Sequence, residues 1–217
     1  MALGAEPEAV LPVAAAVELV HAYSLVHDDL PAMDDDEERR GRPTIHVAFG
    51  EATAILTGDA LLAEGFWELA REGAPPEVLA GLAEAASSRG LVGGQADDLA
   101  FDPEGWELDD IVSIHARKTS ALFRFSTWGA ARFLGASEPQ TEALAGFGRH
   151  FGMAFQLVDD LQDADVTECS MLCVLSAAQV KERARSEIAA AQAALDPLGS
   201  GADTLRSLGE SLAGRLR

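Results

Sequence analysis

The chain has 217 residues, 48% of them hydrophobic, enough for one large domain or two small ones with a sizeable core. A formal net charge of −20 argues against a nucleic-acid binder, which needs a basic face. No stretch reads as both long and apolar enough to span a membrane. The N-terminus lacks the basic start and cleavage pattern of a signal peptide.

Helical periodicity runs through almost the whole sequence. Residues 8–30 read as one long apolar-rich helix, which Pro31 then disturbs. Residues 34–46 are charged and contain Arg39-Arg40-Gly41-Arg42-Pro43-Thr44, a loop signature. Helical spacing resumes over 48–72, with Leu56, Ala60, Ala63 and Trp67 at three- and four-residue steps. After the break at Ala74-Pro75-Pro76, a further helix runs to a Gly90–Gly94 stretch. Asp102-Pro103-Glu104-Gly105 marks a turn. A long helix is predicted over 107–134, with a local irregularity near Lys118-Thr119, and another over 139–163. Residues 176–195 form a charged, alanine-rich helix, and a short amphipathic tail follows. Sustained two-residue alternation of β-branched residues is missing, so strands are not expected. The two cysteines, Cys169 and Cys173, lack the further ligands that zinc requires. They read as ordinary thiols of a reducing cytoplasm.

Two acidic segments stand out. One runs Asp28-Asp29-Leu30-Pro31-Ala32-Met33-Asp34-Asp35-Asp36, the other Asp159-Asp160-Leu161-Gln162-Asp163. Each follows an apolar helical run. Carboxylates packed this densely repel one another unless a cation sits between them, and an acid run at a helix C-terminus also opposes the macrodipole. Either segment alone reads equally as a solvated helix end. Two of them suggest one shared site for hard divalent metals, and hence a metal-dependent enzyme acting on a phosphate-bearing substrate. The acidic balance does not exclude such a substrate, because Mg²⁺ typically binds through one or two carboxylates plus substrate phosphates.

Asp159 and Asp163 are four apart and share a helix face, with Asp160 beside them. Asp28 and Asp34 are six apart, the wrong spacing for one face. A bulge or break at Pro31-Ala32 would bring Asp34 back beside Asp28. Arg39, Arg40 and Arg42 follow directly, and guanidinium forks match phosphate oxygens in pairs. For Arg42, simple neutralisation of residues 34–38 is the better reading.

Together these residues resemble the trans-isoprenyl diphosphate synthases, the polyprenyl synthetase family, and most of all its bacterial short-chain farnesyl and geranylgeranyl diphosphate synthases. His27-Asp28-Asp29-Leu30-Pro31-Ala32-Met33-Asp34, running into Arg39-Arg40-Gly41, is similar to the family's first aspartate-rich motif. Gly152-Met153-Ala154-Phe155-Gln156, running into Asp159-Asp160 and Asp163, is similar to the second. Between them Phe49-Gly50-Glu51-Ala52 with Leu56-Thr57-Gly58-Asp59-Ala60-Leu61, then Gly93-Gly94-Gln95, then His115-Ala116-Arg117-Lys118-Thr119 fall in the family's order. The resemblance covers roughly residues 5–165 and, less closely, 174–195.

The resemblance implies an all-α isoprenoid synthase fold, a helical bundle around a central cavity, with residues 1–217 as a single domain. It implies a prenyltransferase that condenses isopentenyl diphosphate with an allylic diphosphate by Mg²⁺-assisted ionisation, with three Mg²⁺ ions when substrate is bound. By position, Asp28, Asp34 and Asp159 would be metal ligands, with Asp29, Asp160 and Asp163 ligands or their supports. Arg39 would contact the allylic diphosphate and Arg40 the isopentenyl diphosphate. Lys118 would bind the allylic diphosphate, and Thr119 and Gln156 would line the path of the carbocation. Lys118 is one of only two lysines, the other being Lys181. A homodimer packed through long helices in the cytoplasm is implied, with no nucleic-acid partner. Ser24 lies about one turn of ~5.4 Å before Asp28, with Tyr23 beside it. A bulky Tyr23 would stop chain growth early, which favours the C15 product farnesyl diphosphate, with geranylgeranyl diphosphate next.

The sequence departs from the family pattern in two places. No Gly-Lys-Arg element for isopentenyl diphosphate precedes the first motif. After Asp165 the chain runs into Val166-Thr167-Glu168-Cys169-Ser170-Met171 where the family has a glycine- and lysine-bearing closing loop, so the junction reads like a deletion. Three alternatives follow: a fragment, a short and weakly active enzyme, or a non-catalytic partner subunit. A class I terpene cyclase shares the ionisation chemistry, but its second motif is of a mixed Asn/Ser/Glu type. A di-iron carboxylate bundle needs Glu-x-x-His pairs that the five histidines do not supply.

Overall fold

A computed structural model of the chain describes residues 2–102, 105–163 and 169–216. The junction expected after Asp165 lies outside the described residues. The structure divides into two compact units, Leu11–Ala74 and the larger Met1–Val10 with Pro75–Arg217. The regular elements among the described residues are all helices apart from one minimal hairpin, so the all-α expectation holds.

In the smaller unit, α1 (Leu11–Asp28) continues from a 3-10 turn at Pro7–Val10. It packs against α3 (Glu51–Arg71), which a short helix α2 (Ile45–Phe49) precedes. Small residues let the two backbones approach. A Cβ placed on Gly65 would stand 3.3 Å from the Ala16 carbonyl oxygen and 3.2 Å from Val20, and one on Gly58 would overlap the His27 ring. The buried face of α3 is therefore Ala54, Gly58, Gly65 and Leu69. The periodic stripe Leu56, Ala60, Ala63 and Trp67 faces outward, with Leu56 67% and Trp67 62% exposed.

Two sequence expectations need correction here. By length and composition one stretch, Pro7–Asp28, does reach the threshold of a membrane span, with a mean hydropathy of 1.7 over its 18-residue window. Val13, Ala16 and Val20 on it are buried, and a core helix of small apolar residues passes the same test. The second is the loop over 34–46. It contains two-residue strands, β1 (Glu38–Arg39) and β2 (Arg42–Pro43), paired antiparallel. Arg40 (φ 54°) and Gly41 (φ 76°) both lie in the left-handed region, as a two-residue type I′ hairpin turn requires. The signal was the Arg-Gly dipeptide, not strand alternation.

The larger unit contains α4 (Pro76–Ala86), α5 (Leu91–Leu99), α6 (Leu108–His115), α7 (Ala121–Phe133), α8 (Glu138–Asp163), α9 (Ala177–Ala194) and α10 (Asp203–Gly214). Capping boxes start α6 (Glu107 with Asp110) and α9 (Ser176 with Gln179). The glycines at 93 and 94 were read as the end of a helix, but they lie inside α5. Their role is close approach: a Cβ on Gly93 would stand 1.9 Å from the Ser88 carbonyl oxygen, and one on Gly94 2.3 Å from the Lys118 backbone nitrogen. The predicted irregularity at Lys118-Thr119 is a π-helical turn, Ala116–Ser120, joining α6 to α7. Helix α8 is the spine of this unit. Met153, Ala154, Leu157 and Val158 join Ile111, Val180, Ala184 and Ile188 in one core. Phe123 of α7 meets Phe151 and Phe155 of α8 at ring separations of 5.5 and 5.3 Å.

Candidate active site

The two acidic segments belong to different units. In the smaller one, α1 ends where Pro31 withdraws a backbone donor and disfavours helical geometry at Leu30. The chain then doubles back. Met33 N–H donates to the Leu30 carbonyl at 2.8 Å, and Asp34 N–H donates to the Asp28 carbonyl at 2.9 Å. The break expected at Pro31-Ala32 thus does bring the Asp34 backbone beside Asp28. Asp29 turns inward and is 4% exposed. Arg39 donates to its Oδ1 from Nε at 2.7 Å, with Nη2 also at 2.7 Å, and Nη2 reaches Asp36 at 3.2 Å. This hydrogen bond to Asp29 raises the Arg39 pKa further, although burial opposes it. The hairpin that carries Arg39 is tied down by Thr44, whose buried hydroxyl donates to the Asp36 carbonyl at 2.8 Å. Asp34 and Arg40 stay exposed and Asp28 half-exposed.

Upstream on α1, Tyr23 and Ser24 are both buried. The Ser24 hydroxyl donates to the His21 carbonyl at 2.9 Å. The Tyr23 ring packs edge-on to His27, and its hydroxyl has no hydrogen-bond partner among the described residues. Burial, with Asp28 nearby, pushes the phenol up to about 12, so it stays protonated at physiological pH.

The second segment lies on the last turns of α8 in the larger unit. Asp160 is 6% exposed and is held at both oxygens. Gln156 Nε2 donates to Oδ1 at 3.1 Å, and the backbone N–H of Met171 donates to Oδ2 at 2.8 Å. The Thr119 hydroxyl in turn donates to Gln156 Oε1 at 2.7 Å. The π turn therefore delivers Thr119 to Gln156 in a chain of polar contacts ending at Asp160. Lys118 on the same turn donates to Asp98 of α5, and Arg117 to Asp97. Asp159 is half-buried and Asp163 exposed. The pKa of Asp159 is raised, first by burial and then by its neighbours Asp163 and Asp160, while Arg215 just beyond α10 opposes the shift.

Several participants carry no assigned role in the sequence reading, although Gln95 and His115 belong to its motifs. Asp97 and Asp98 follow Gly93-Gly94-Gln95 after one residue, Ala96, and that proximity is their signal. Gln95 is buried with neither amide atom partnered among the described residues. His115, 2% exposed, lies 3.8 Å from Asp160. Burial lowers its pKa against the pull of that carboxylate. Arg215 and the Met171 N–H are tertiary neighbours with no local signature.

These donors suit Mg²⁺ chemically. Each segment keeps one aspartate buried and bonded inside the protein, and leaves others accessible as hard oxygen ligands. Among the described residues, no group of three or more His, Cys, Asp or Glu side chains is assembled closely enough to hold a metal unaided. Mg²⁺ usually keeps several waters and binds through one or two carboxylates plus substrate phosphates. Asp28, Asp34, Asp159 and Asp163 fit that mode.

Comparison with known proteins extends these observations. The family model for polyprenyl synthetase matches residues 1–172. Farnesyl diphosphate synthase from Geobacillus stearothermophilus is 44% identical over 174 residues, covering 77% of this chain and 59% of that protein. Geranylgeranyl diphosphate synthase from Cyanophora paradoxa is 41% identical over 172 residues, covering 76% and 57% respectively. The chain thus spans less than two thirds of the length of these curated relatives. Among solved structures, the apo FPP/GFPP synthase of Zymomonas mobilis superposes with a TM-score of 0.87 at 38% identity, over 96% of this chain and 77% of that one.

The raised pKa of Asp159 has a consequence for stability. A carboxyl whose pKa is higher in the folded state contributes stability below its unfolded pKa and loses it as pH rises through the folded value. At neutral pH the Asp159 charge is therefore a net cost to the fold. Asp159→Asn is expected to raise the melting temperature in metal-free buffer at pH 7, and the gain should vanish at pH 3. Thermal unfolding at both pH values checks this; a loss of stability at pH 7 would contradict it.

Proposed function

The chain belongs to the polyprenyl synthetase family, and from that premise we propose that the protein is a trans-prenyltransferase. It condenses isopentenyl diphosphate with an allylic diphosphate and favours farnesyl diphosphate as product. The observation that carries this reading is the division of labour within each acidic segment. Asp29 and Asp160 are buried and hydrogen-bonded, while Asp28, Asp34, Asp159 and Asp163 remain accessible.

In the proposed reaction the C–O bond of the allylic diphosphate breaks and diphosphate leaves with the electron pair. The double bond of isopentenyl diphosphate then attacks the allylic carbon, and loss of a proton gives a chain one isoprene unit longer. Mg²⁺, when bound, supplies Lewis acidity and stabilises charge on the leaving diphosphate. The accessible aspartates are assigned as its ligands. Asp29, through Arg39, fixes the first segment, and Asp160, through Gln156 and Met171, fixes the second. Arg39 and Lys118 are assigned to the allylic diphosphate and Arg40 to isopentenyl diphosphate, where fixed cations lower the cost of developing negative charge. The oxygen dipoles of Thr119 and Gln156 are assigned to the carbocation.

The product-length assignment rests on Tyr23, a bulky buried residue about one turn before Asp28. A homodimer is proposed on the outward stripe Leu56, Ala60, Ala63 and Trp67. Such a contiguous apolar strip on a helix marks an interaction surface.

The activity test combines the full-length gene product, Mg²⁺, isopentenyl diphosphate and dimethylallyl, geranyl or farnesyl diphosphate, with products identified by mass spectrometry. A longer prenyl diphosphate is expected. A hydrocarbon or alcohol would instead indicate a cyclase, and no product from any pair would sink the enzyme reading. Tyr23→Ala is expected to shift the product from C15 to C20 or longer, and an unchanged product would remove Tyr23 as the determinant. Trp67→Glu should lower the mass measured by light scattering from dimer to monomer; a monomeric wild type would contradict the dimer.

A further inference from the structure

The larger unit has a half-open cavity of about 390 Å³ among α4, the α4–α5 turn, the α6–α7 run, α8 and α9. None of Lys118, Thr119, Gln156 or the aspartates of the second segment lines it. Three arginines do, each from a different part of the fold: Arg89 just before α5, Arg124 on α7 and Arg149 on α8. The chain as a whole has 36 acidic residues against 16 basic ones. Arg39, Arg71, Arg117, Arg132 and Arg206 each have a carboxylate oxygen within 4.0 Å. Among the described residues Arg89, Arg124 and Arg149 have none.

Two carboxylates also line the cavity, Glu84 and Glu187. Glu187 is engaged by His150, with Nδ1 2.7 Å away, and Arg149 Nη2 lies 3.3 Å from Nε2 of the same ring. A guanidinium has only donors, so Nε2 accepts from Arg149 and Nδ1 carries the proton donated to Glu187. The network orients Arg149 without neutralising it. The rest of the lining includes apolar Val112, Ala116 and Met153.

We propose that this cavity is a second ligand site, distinct from the aspartate segments, for a small organic phosphate monoester with a compact apolar body. The guanidinium groups take the phosphate oxygens in charge-assisted hydrogen bonds. The apolar lining packs the body. The volume suits a fragment-sized molecule. No divalent metal enters this scheme, because the cations are the protein's own.

Phenyl phosphate is a suitable probe, titrated calorimetrically into the whole protein in EDTA-containing buffer, where metal-dependent diphosphate binding is silent. The expected result is saturable one-site binding that weakens as NaCl rises. Arg124→Met and Arg149→Met should each weaken it at least about tenfold, as loss of one charge-assisted contact would. Both side chains are exposed, and circular dichroism confirms that each variant is folded. Arg42→Met, at an exposed position of the smaller unit, should leave the affinity unchanged. A second readout is tryptophan fluorescence in a Trp67→Phe, Trp106→Phe background that keeps Trp128, because the Arg124 guanidinium sits 5.7 Å from that ring and a bound phosphate would draw it away. The proposal is overturned by absence of saturable binding, by unchanged affinity in either arginine variant, or by loss of binding in Arg42→Met.

Discussion

Eight aspartates in two short segments cannot all be buried as ions, nor can they crowd together without mutual repulsion. The fold resolves this constraint in the same way twice. One carboxylate of each segment is taken inside and supplied with donors. Asp29 receives the Arg39 guanidinium, and Asp160 receives a side-chain amide and a backbone N–H. The remaining carboxylates stay at or near the surface, and at Asp159 partial burial, with repulsion from Asp163 and Asp160 second, raises the pKa. The inner carboxylates thereby anchor each segment. At Asp159 the charge costs the fold stability at neutral pH.

Backbone irregularities make the arrangement possible. Residues six apart cannot share a helix face, yet the break at Pro31 lets Asp34 N–H reach the Asp28 carbonyl. A regular helix through residues 116–120 would present a different face at each position. The π turn there sends Lys118 toward Asp98 and Thr119 toward Gln156. Gly94, packed against the Lys118 backbone, admits no side chain, so α5 and the π turn can approach closely enough for these pairs to form. The two-residue hairpin, closed by Arg40 and Gly41 in left-handed geometry, places Arg39 back over Asp29.

Much of this was legible in the sequence. The helices over 107–134, 139–163 and 176–195 follow from the helical pattern of the sequence, and the irregularity near Lys118 is located at Lys118-Thr119. The motif residues also identified the family. What sequence could not resolve was direction. Leu56, Ala60, Ala63 and Trp67 have the spacing of a core stripe, yet α3 packs through Ala54, Gly58 and Gly65, because close helix packing selects small residues and leaves the large ones outside. Gly93-Gly94 looked like a helix end for the same reason: a glycine chosen for close approach and one chosen for a break are identical on paper. Tertiary partners such as the Met171 N–H for Asp160, or Arg215 for Asp159, carry no local signature at all.

The central claim is that the outer aspartates are poised for Mg²⁺ carried with a diphosphate rather than for a free ion. Calorimetric titration of Mg²⁺ into the full-length protein, with and without inorganic pyrophosphate, tests it most directly. The account predicts Mg²⁺ binding that pyrophosphate strengthens, and that Asp28→Asn and Asp159→Asn each weaken. Mg²⁺ binding equally tight without pyrophosphate, or untouched by both substitutions, would contradict it.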